Sequence, residues 1–321
     1  MQTLESLRNT INSIEDLRAV VRTMKALAMV SIRQYEKARL SLANYNETVE
    51  LGLQALLHHR RFSETLTGPL PQAHLRPTTG PVGVILFGSD HGLCGQFNEQ
   101  IVTYVLETLD QRQISPSQRL IAAVGARLLP HLEIASQPAY TQFSLPSSLA
   151  GTPRLIQDLL EAIDHWRFRQ PLEGSSLLAI ADALETPHPD VEQVLLFYNR
   201  SLSTTVYQPV MLQLLPLDPL WLSQLEKRPW DSVSMPMLNV NWEGLFSALI
   251  RQYLFVALYR ATVESLASEN AGRLASMQAA EKNIEERLSN LNAQYRQQRQ
   301  NSITGELLDI VSGFEALKKP G

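Results

Sequence analysis

Proline placement constrains this chain more than any other feature. Residues 1–68 contain none, residues 69–236 contain 17 of the 18, and the last stands at Pro320. Proline removes a backbone donor and clashes with the preceding turn, so it is kept out of helix interiors. Two proline-free ends therefore flank a middle built from turns and short elements. The C-terminal stretch, residues 241–317, opens NWEGLFSALIRQYLFVALYRATVESLASENAGRL and closes ITGELLDIVSGFEAL. A continuous helix over it spans about 115 Å at about 1.5 Å per residue. A compact domain of this length is far smaller than that. Such a helix leaves its own domain and needs cover from something else.

Both ends carry a seam at alternating spacings of three and four. At the N-terminus it runs through Leu7, Ile11, Ile14, Val21, Ala28, Ile32, Tyr35, Leu42, Tyr45, Val49 and Leu56, and predicts one helix over residues 1–58, with its regular part starting near residue 3. At the C-terminus it runs through Leu249, Tyr253, Val256, Val263, Leu266, Leu274, Met277, Ile284, Leu288, Leu291 and Tyr295. Neither helix buries its stripe alone, and each is the obvious partner of the other, so the expectation is an antiparallel hairpin. Past Tyr295 the seam meets Gln298 and Ser302. Ile303, Leu307, Ile310, Phe314 and Leu317 then resume it one residue out of phase.

Between the ends, Val82–Phe87 (VGVILF) reads as a buried parallel strand, and the turn GSDHGLCG follows over residues 88–95. A helix is expected over 96–109, a strand over 119–124 and a short helix over 125–132. Further helices are expected over 152–167 and 175–184, a strand over 194–198, strand character over 204–215, and loop over 216–240. The whole is an α/β fold: a long antiparallel α-helical coiled-coil hairpin from the two termini, with an inserted Rossmann-like α/β domain at 82–220. Linkers fall at 59–81 and 221–240, and the second coiled-coil helix at 241–317.

Composition narrows the function. A net charge of −4 gives no global argument for nucleic acid or anionic lipid. The only cysteine, Cys94, excludes an internal disulfide framework. No run of 18 apolar residues is present, and the start MQTLESLRNTINSIEDLRAV has no apolar signal core. The turn at 88–95 fits neither GxGxxG nor GxxxxGK[ST], so it reads as a packing turn. Ser89, Asp90 and His91 are adjacent and point apart, which argues against a triad. Cys94 reads as a small buried residue. The basic run Arg8, Arg18, Arg22, Lys25, Arg33, Lys37 and Arg39, and the acidic Glu281, Glu285 and Glu286, read as solvated faces. No catalytic, cofactor or metal site is expected.

Three stretches together resemble the gamma subunit of F-type ATP synthases. They are Ile11–Ile14 through Arg22–Ala28 (RTMKALA), Ser89–Asn98 (SDHGLCGQFN), and Glu264–Met277 (ESLASENAGRLASM). The last continues through Tyr295, Arg299–Glu306 and Asp309–Gly313. The resemblance implies a non-catalytic rotor. Its helical hairpin stands inside a ring of three alpha and three beta subunits, and its α/β domain lies near the epsilon subunit and the membrane c-ring. It further implies rotor–ring contacts at Arg22, Met24, Lys25, Arg273, Arg299, Gln300 and Thr304, a signature turn at Gly92, Leu93, Cys94 and Gly95, and a peripheral position on the cytoplasmic face of a bacterial inner membrane. The chain departs from the family at Ala19 and Ser31, where basic residues are usual, at His91 for arginine, and at Gly272 for an alanine-like residue. Residues 135–190 are longer than usual. An α/β nucleotide-binding or enzymatic module with a coiled-coil dimerisation arm is the alternative, resting on the turn at 88–95.

Overall fold

The computed structural model describes residues 3–62, 80–167, 191–202, 206–230, 232, 234, 236–237 and 241–318. In chain order the elements are α1 (Leu4–Phe62), β1 (Val82–Phe87), α2 (Phe97–Gln111), β2 (Arg119–Val124), α3 (Leu129–Ile134), β3 (Thr141–Phe143), α4 (Thr152–Arg167), β4 (Gln193–Ser201), β5 (Tyr207–Leu215), α5 (Pro219–Lys227) and α6 (Trp242–Lys318). They form two compact units, Val30–Gly272 and the pair Met1–Met29 with Arg273–Gly321. The expected fold class, two long terminal helices with an inserted α/β sheet domain, is what the chain adopts.

In the larger unit a five-stranded sheet has the order β3-β2-β1-β4-β5. The first four strands run parallel, and β5 returns antiparallel on β4. β1 is central and every residue of it is buried, which is why it reads as an unbroken apolar run. Its side chains still alternate. Val82, Val84 and Leu86 pack with Ile101, Val105 and Leu109 of α2 and Leu132 of α3. Ile85 and Phe87 face the opposite core. That core joins Leu155, Ile156 and Leu159 of α4 to Leu53 and Leu56 of α1 and Phe246, Ile250 and Leu258 of α6. Helices thus cover both faces, as a parallel sheet requires.

The long helices do not stop being part of the α/β core where the sequence suggests a linker. Residues 261–270 of α6 are buried on every side, although a surface helix normally buries one stripe. In the smaller unit the two helices cover each other. Ile11 and Val21 pack with Met277, Ile284 and Leu288, flanked by Ile14, Met24, Leu291 and Tyr295. Low numbers meet high numbers, so the pair is antiparallel. The seam fails at Tyr45, which is 45% exposed. Its hydroxyl instead donates to Gln252 Oε1 at 2.9 Å.

Three expectations are corrected. The loop read over 216–240 contains α5. Asp218 caps it by accepting from the Leu220 N–H at 2.8 Å, and Pro219 occupies its first turn, a combination that signals a helix start. The helix expected at 125–132 is a 3₁₀ turn at Ala126–Leu128 followed by α3. β3 was not anticipated, because three residues carry no periodicity. The helix expected over 175–184 lies outside the described residues, as do most of the linker 59–81 and parts of 221–240.

Gly83 explains how α4 reaches the sheet. A Cβ there would stand 2.7 Å from Cε3 of Trp166, a ring that is 2% exposed. Gly83→Ala should therefore overpack this face and lower stability by about 1–3 kcal/mol. Chemical denaturation of the full chain measures it; an unchanged midpoint would mean that the Trp166 ring moves freely.

Candidate functional site

The turn between β1 and α2 is locked by its own side chains. The Ser89 N–H donates to Asn98 Oδ1 at 3.0 Å, Asn98 Nδ2 donates to Ser89 Oγ at 2.8 Å, and that hydroxyl donates to the His91 carbonyl at 3.0 Å. Asp90 joins the turn to two other segments. Its Oδ1 accepts from the Ala126 N–H at 2.8 Å and its Oδ2 from the Leu145 N–H at 2.7 Å. The Gly88 N–H is taken by the Val124 carbonyl. Two donors that a phosphate cradle would aim outward, the Gly88 and Ser89 N–H groups, are thus already committed within the protein. His91 is exposed while Ser89 and Asp90 point into separate bonds, so the three form no relay.

Within the signature turn, Cys94 is buried, with Sγ 3.6 Å from Ser89 Oγ. Leu93 and Gly95 both have φ of 66°. Leu93 is also 57% exposed, so an apolar side chain is held outward on a backbone conformation that costs about 1 kcal/mol or more for a non-glycine residue. Gly92 is half-buried, and a Cβ there would meet nothing within 4 Å. The turn lies directly on α6: a Cβ at Gly272 would be 2.8 Å from the Cys94 carbonyl oxygen and 3.1 Å from Tyr207 Cε1. Gly272 is thus a close-approach residue.

The residues expected to face a surrounding ring divide into two groups. Arg22 and Lys25 are engaged within the hairpin itself. Arg22 Nε donates to Glu281 Oε1 at 2.8 Å, and Lys25 Nζ donates to Glu281 Oε2 at 2.7 Å. Arg18 Nη2 donates to Glu285 Oε1 at 2.6 Å, and Arg22 Nη2 lies 3.6 Å from that oxygen. Met24 is half-buried against the Met277 cluster. Two of the acidic residues read as a solvated face, Glu281 and Glu285, are therefore the partners of Arg18, Arg22 and Lys25. The hydrogen bonds from Lys25 and Arg22 hold the Glu281 carboxyl well down, at about 2. Sequence carries a signal for this: Glu281 falls between the seam positions Met277 and Ile284, where a coiled coil places flanking charges.

The second group lies near the end of α6. Arg299, Gln300 and Thr304 are exposed, and the Thr304 hydroxyl donates to the Gln300 carbonyl at 2.9 Å. Arg299 makes no ion pair among the described residues. Arg273 is half-buried. Beyond the cleft where Leu4 and Leu7 meet Gln298 and Asn301, α6 continues without α1. There Ile303, Leu307, Leu308, Ile310 and Val311 are 48–67% exposed. Contiguous apolar exposure of this kind marks a surface that something covers. Leu17, Val20 and Leu27 of α1 are likewise more than half exposed or close to it, at 52, 50 and 62%. Sequence reading passed over these three because they lie off the seam. Among the described residues no helix is long and apolar enough to cross a membrane, and no cluster of three potential metal ligands occurs.

A family model described as ATP synthase matches residues 3–317. The ATP synthase gamma chain of Anaeromyxobacter sp. (strain Fw109-5) is 27% identical over 323 residues, spanning 99% of this chain and 100% of that one. The ATP synthase gamma chain of Dictyoglomus thermophilum is 28% identical over 323 residues, spanning 99% of each. A solved chain from Euglena gracilis mitochondrial ATP synthase, in a structure of OSCP, F1 and c-ring, aligns with a TM-score of 0.59. It is 17% identical and covers 99% of this chain and 96% of that one. A likeness at that identity bears on the fold alone.

The charge clamp generates a pH prediction. A carboxyl whose folded pKa is depressed contributes stability that is complete above its ordinary value, 4.5, and is lost as pH falls through about 2. Thermal unfolding of the full chain followed from pH 6 downward should show this loss (about that range is where ordinary carboxylates begin to protonate). Glu281→Gln should be less stable at neutral pH and should have a flatter acid limb. An acid limb identical to wild type would mean the clamp does not form.

Proposed function

This chain belongs to the ATP synthase gamma family, and from that premise we infer how its parts serve a rotary machine. It is the non-catalytic gamma subunit of an ATP synthase, and chemistry belongs to the beta subunits around it. The family match over residues 3–317 carries this conclusion. Solved relatives are described as parts of a rotor and of a central stalk with its c-ring. By that relation the partners of this chain are the alpha and beta subunits, the epsilon subunit and the c-ring. It is peripheral to the membrane sector. We place it on the cytoplasmic face of a bacterial inner membrane, supported by its bacterial relatives.

A shaft that transmits torque needs stiffness, and it needs a surface without one deep minimum as it turns. The first need is met by two helices that bury a shared seam and cross-link it with ion pairs. The second is met by sparse contact groups. We assign Arg299, Gln300 and Thr304 to polar loops of the ring, because they are exposed and have no carboxylate partner among the described residues. Met24 and Arg273 remain assigned to the ring contact, each half-buried on its own helix. Arg22 is 54% exposed at its side chain even while bound to Glu281, so it presents charge outward. Lys25 is more enclosed, at 31%, and its role is chiefly to fix the clamp through which Arg22 is held. The signature residues Gly92, Leu93, Cys94 and Gly95 serve to seat the α/β domain on α6. The exposed apolar end from Ile303 onward is the bearing surface, covered by the ring. The domain limits follow the same logic: 1–58 and 241–317 as the shaft, 82–220 as the inserted domain, and 59–81 and 221–240 as connections.

Two outcomes test the reading. Co-expression with alpha and beta subunits should give a complex whose ATPase activity requires this chain, and a chain that never co-purifies with them contradicts it. Truncation after Asn301 should reduce coupling or assembly while the α/β domain melts as before. Loss of that domain's cooperative transition would mean the tip is part of its core.

A further inference from the structure

Residues 261–270 of α6, buried on every side, include several polar side chains. Thr262 and Asn270 turn theirs back onto their own helix, donating to the Leu258 and Leu266 carbonyls at 2.8 Å. Bonds of that kind satisfy the group without tying the helix to a neighbour. Glu264 does something different. It is 2% exposed, and its Oε1 accepts from Arg260 Nε, one turn earlier, at 3.0 Å. The same carboxylate accepts from the Tyr198 hydroxyl of β4. Burial first, and then the charge of Glu264, push that phenol up to about 12, so it remains a donor.

Both ends of this link are well anchored. Tyr198 is 6% exposed, and its strand lies inside the sheet, hydrogen-bonded to β1 on one side and β5 on the other. Arg260 fixes the carboxylate from a half-exposed position on the same helix. The inserted domain also meets α6 through apolar side chains, among them Leu155 and Ile156 of α4 with Phe246 and Ile250. Apolar burial is non-directional, so it holds two surfaces together without fixing the angle between them. A hydrogen bond does fix an angle, because it weakens steeply once donor and acceptor are misaligned. A second polar link joins the domain to α6, from Arg251 Nη1 to Asp164 Oδ2 at 2.6 Å. Its side chains are 51% and 44% exposed, so water and salt screen it. The Tyr198–Glu264 bond is shielded from both.

We propose that Glu264 is a positioning residue of the rotor: held by Arg260 and bonded to Tyr198, it keys the inserted domain to α6 at one angle, so that torque taken up by the domain passes to the shaft without slip. The proposal rests on the gamma-subunit reading and names the residues that join the two parts of that rotor.

The test uses the full-length chain in its assembled ATP synthase, reconstituted into vesicles. ATP hydrolysis and the ions pumped per ATP are read together, the ions with trapped pH- and sodium-sensitive dyes. Tyr198→Phe removes only the hydroxyl, and Glu264→Gln removes only the charge. Each should lower the ions pumped per ATP about twofold or more, while hydrolysis stays within about twofold of wild type. Arg260→Gln should shift the ratio in the same direction by less, and Arg260→Lys should restore part of it. If Glu264→Gln fails to fold by circular dichroism, Tyr198→Phe and Arg260→Gln decide. A wild-type ratio in Tyr198→Phe would overturn the proposal. So would losses of pumping and hydrolysis in equal proportion, which is what a purely structural role predicts. A wild-type chain that assembles with no other subunit of the enzyme would instead overturn the gamma-subunit reading.

Discussion

An apolar stripe on a helix has to be covered along its whole length, and that constraint shapes everything else in this chain. Each long helix meets it by changing partner. Up to Met29, α1 is covered by the far part of α6, through Ile11, Val21, Met277, Ile284 and Leu288. Beyond that point it joins the sheet core through Val49, Leu53 and Leu56. α6 does the reverse, entering from the core at Phe246 and Ile250 and ending in residues with no cover among the described residues. The inserted domain is thus also the wall against which half of each helix is packed. A helix buried all round, as over 261–270, is the consequence.

Much of this was legible in the sequence, for reasons that differ by element. β1, β2 and α4 have the limits expected of them, because β1 and β2 are short apolar runs bounded by proline or glycine, and α4 opens on Thr152-Pro153. The seams named the buried faces of both long helices, with Tyr45 as an exception that found a hydrogen bond instead of a pocket. α5 sits in a proline-bearing stretch that resembles loop, although Asp218-Pro219 is a helix-start pair. β3 is three residues long and is recruited by β2, so only tertiary pairing reveals it. Partner choice for charges was the least legible. That Glu281 serves Lys25 and Arg22 depends on the register between helices more than 250 residues apart in the chain.

The turn at 88–95 shows how a suggestive motif is resolved by accounting for its donors. Glycines after a strand invite a phosphate reading. In this chain the serine, the aspartate and the asparagine spend their hydrogen bonds on one another and on neighbouring backbone. What remains is a rigid knuckle whose outer face is Leu93 and whose inner face is Cys94. Gly125, at φ 116°, allows the β2 end to pass within contact distance of Ser89. Rigidity here serves placement: the knuckle sets where the domain meets α6, and Gly272 sets how near.

The exposed end of α6 has a further consequence. Gly305 and Gly313 stand in open space, with nothing within 4 Å of where a Cβ would be. Each glycine in a helix interior costs about 1 kcal/mol relative to alanine, and an unsupported helical end of this length is marginal in water. Ile303, Ile310 and Val311 are β-branched and add little helical preference of their own. The last turns of the chain are therefore weakly self-sufficient and strongly apolar. Their order is a property shared with whatever encloses them, so threading this end into place and setting its final helical turns become a single event.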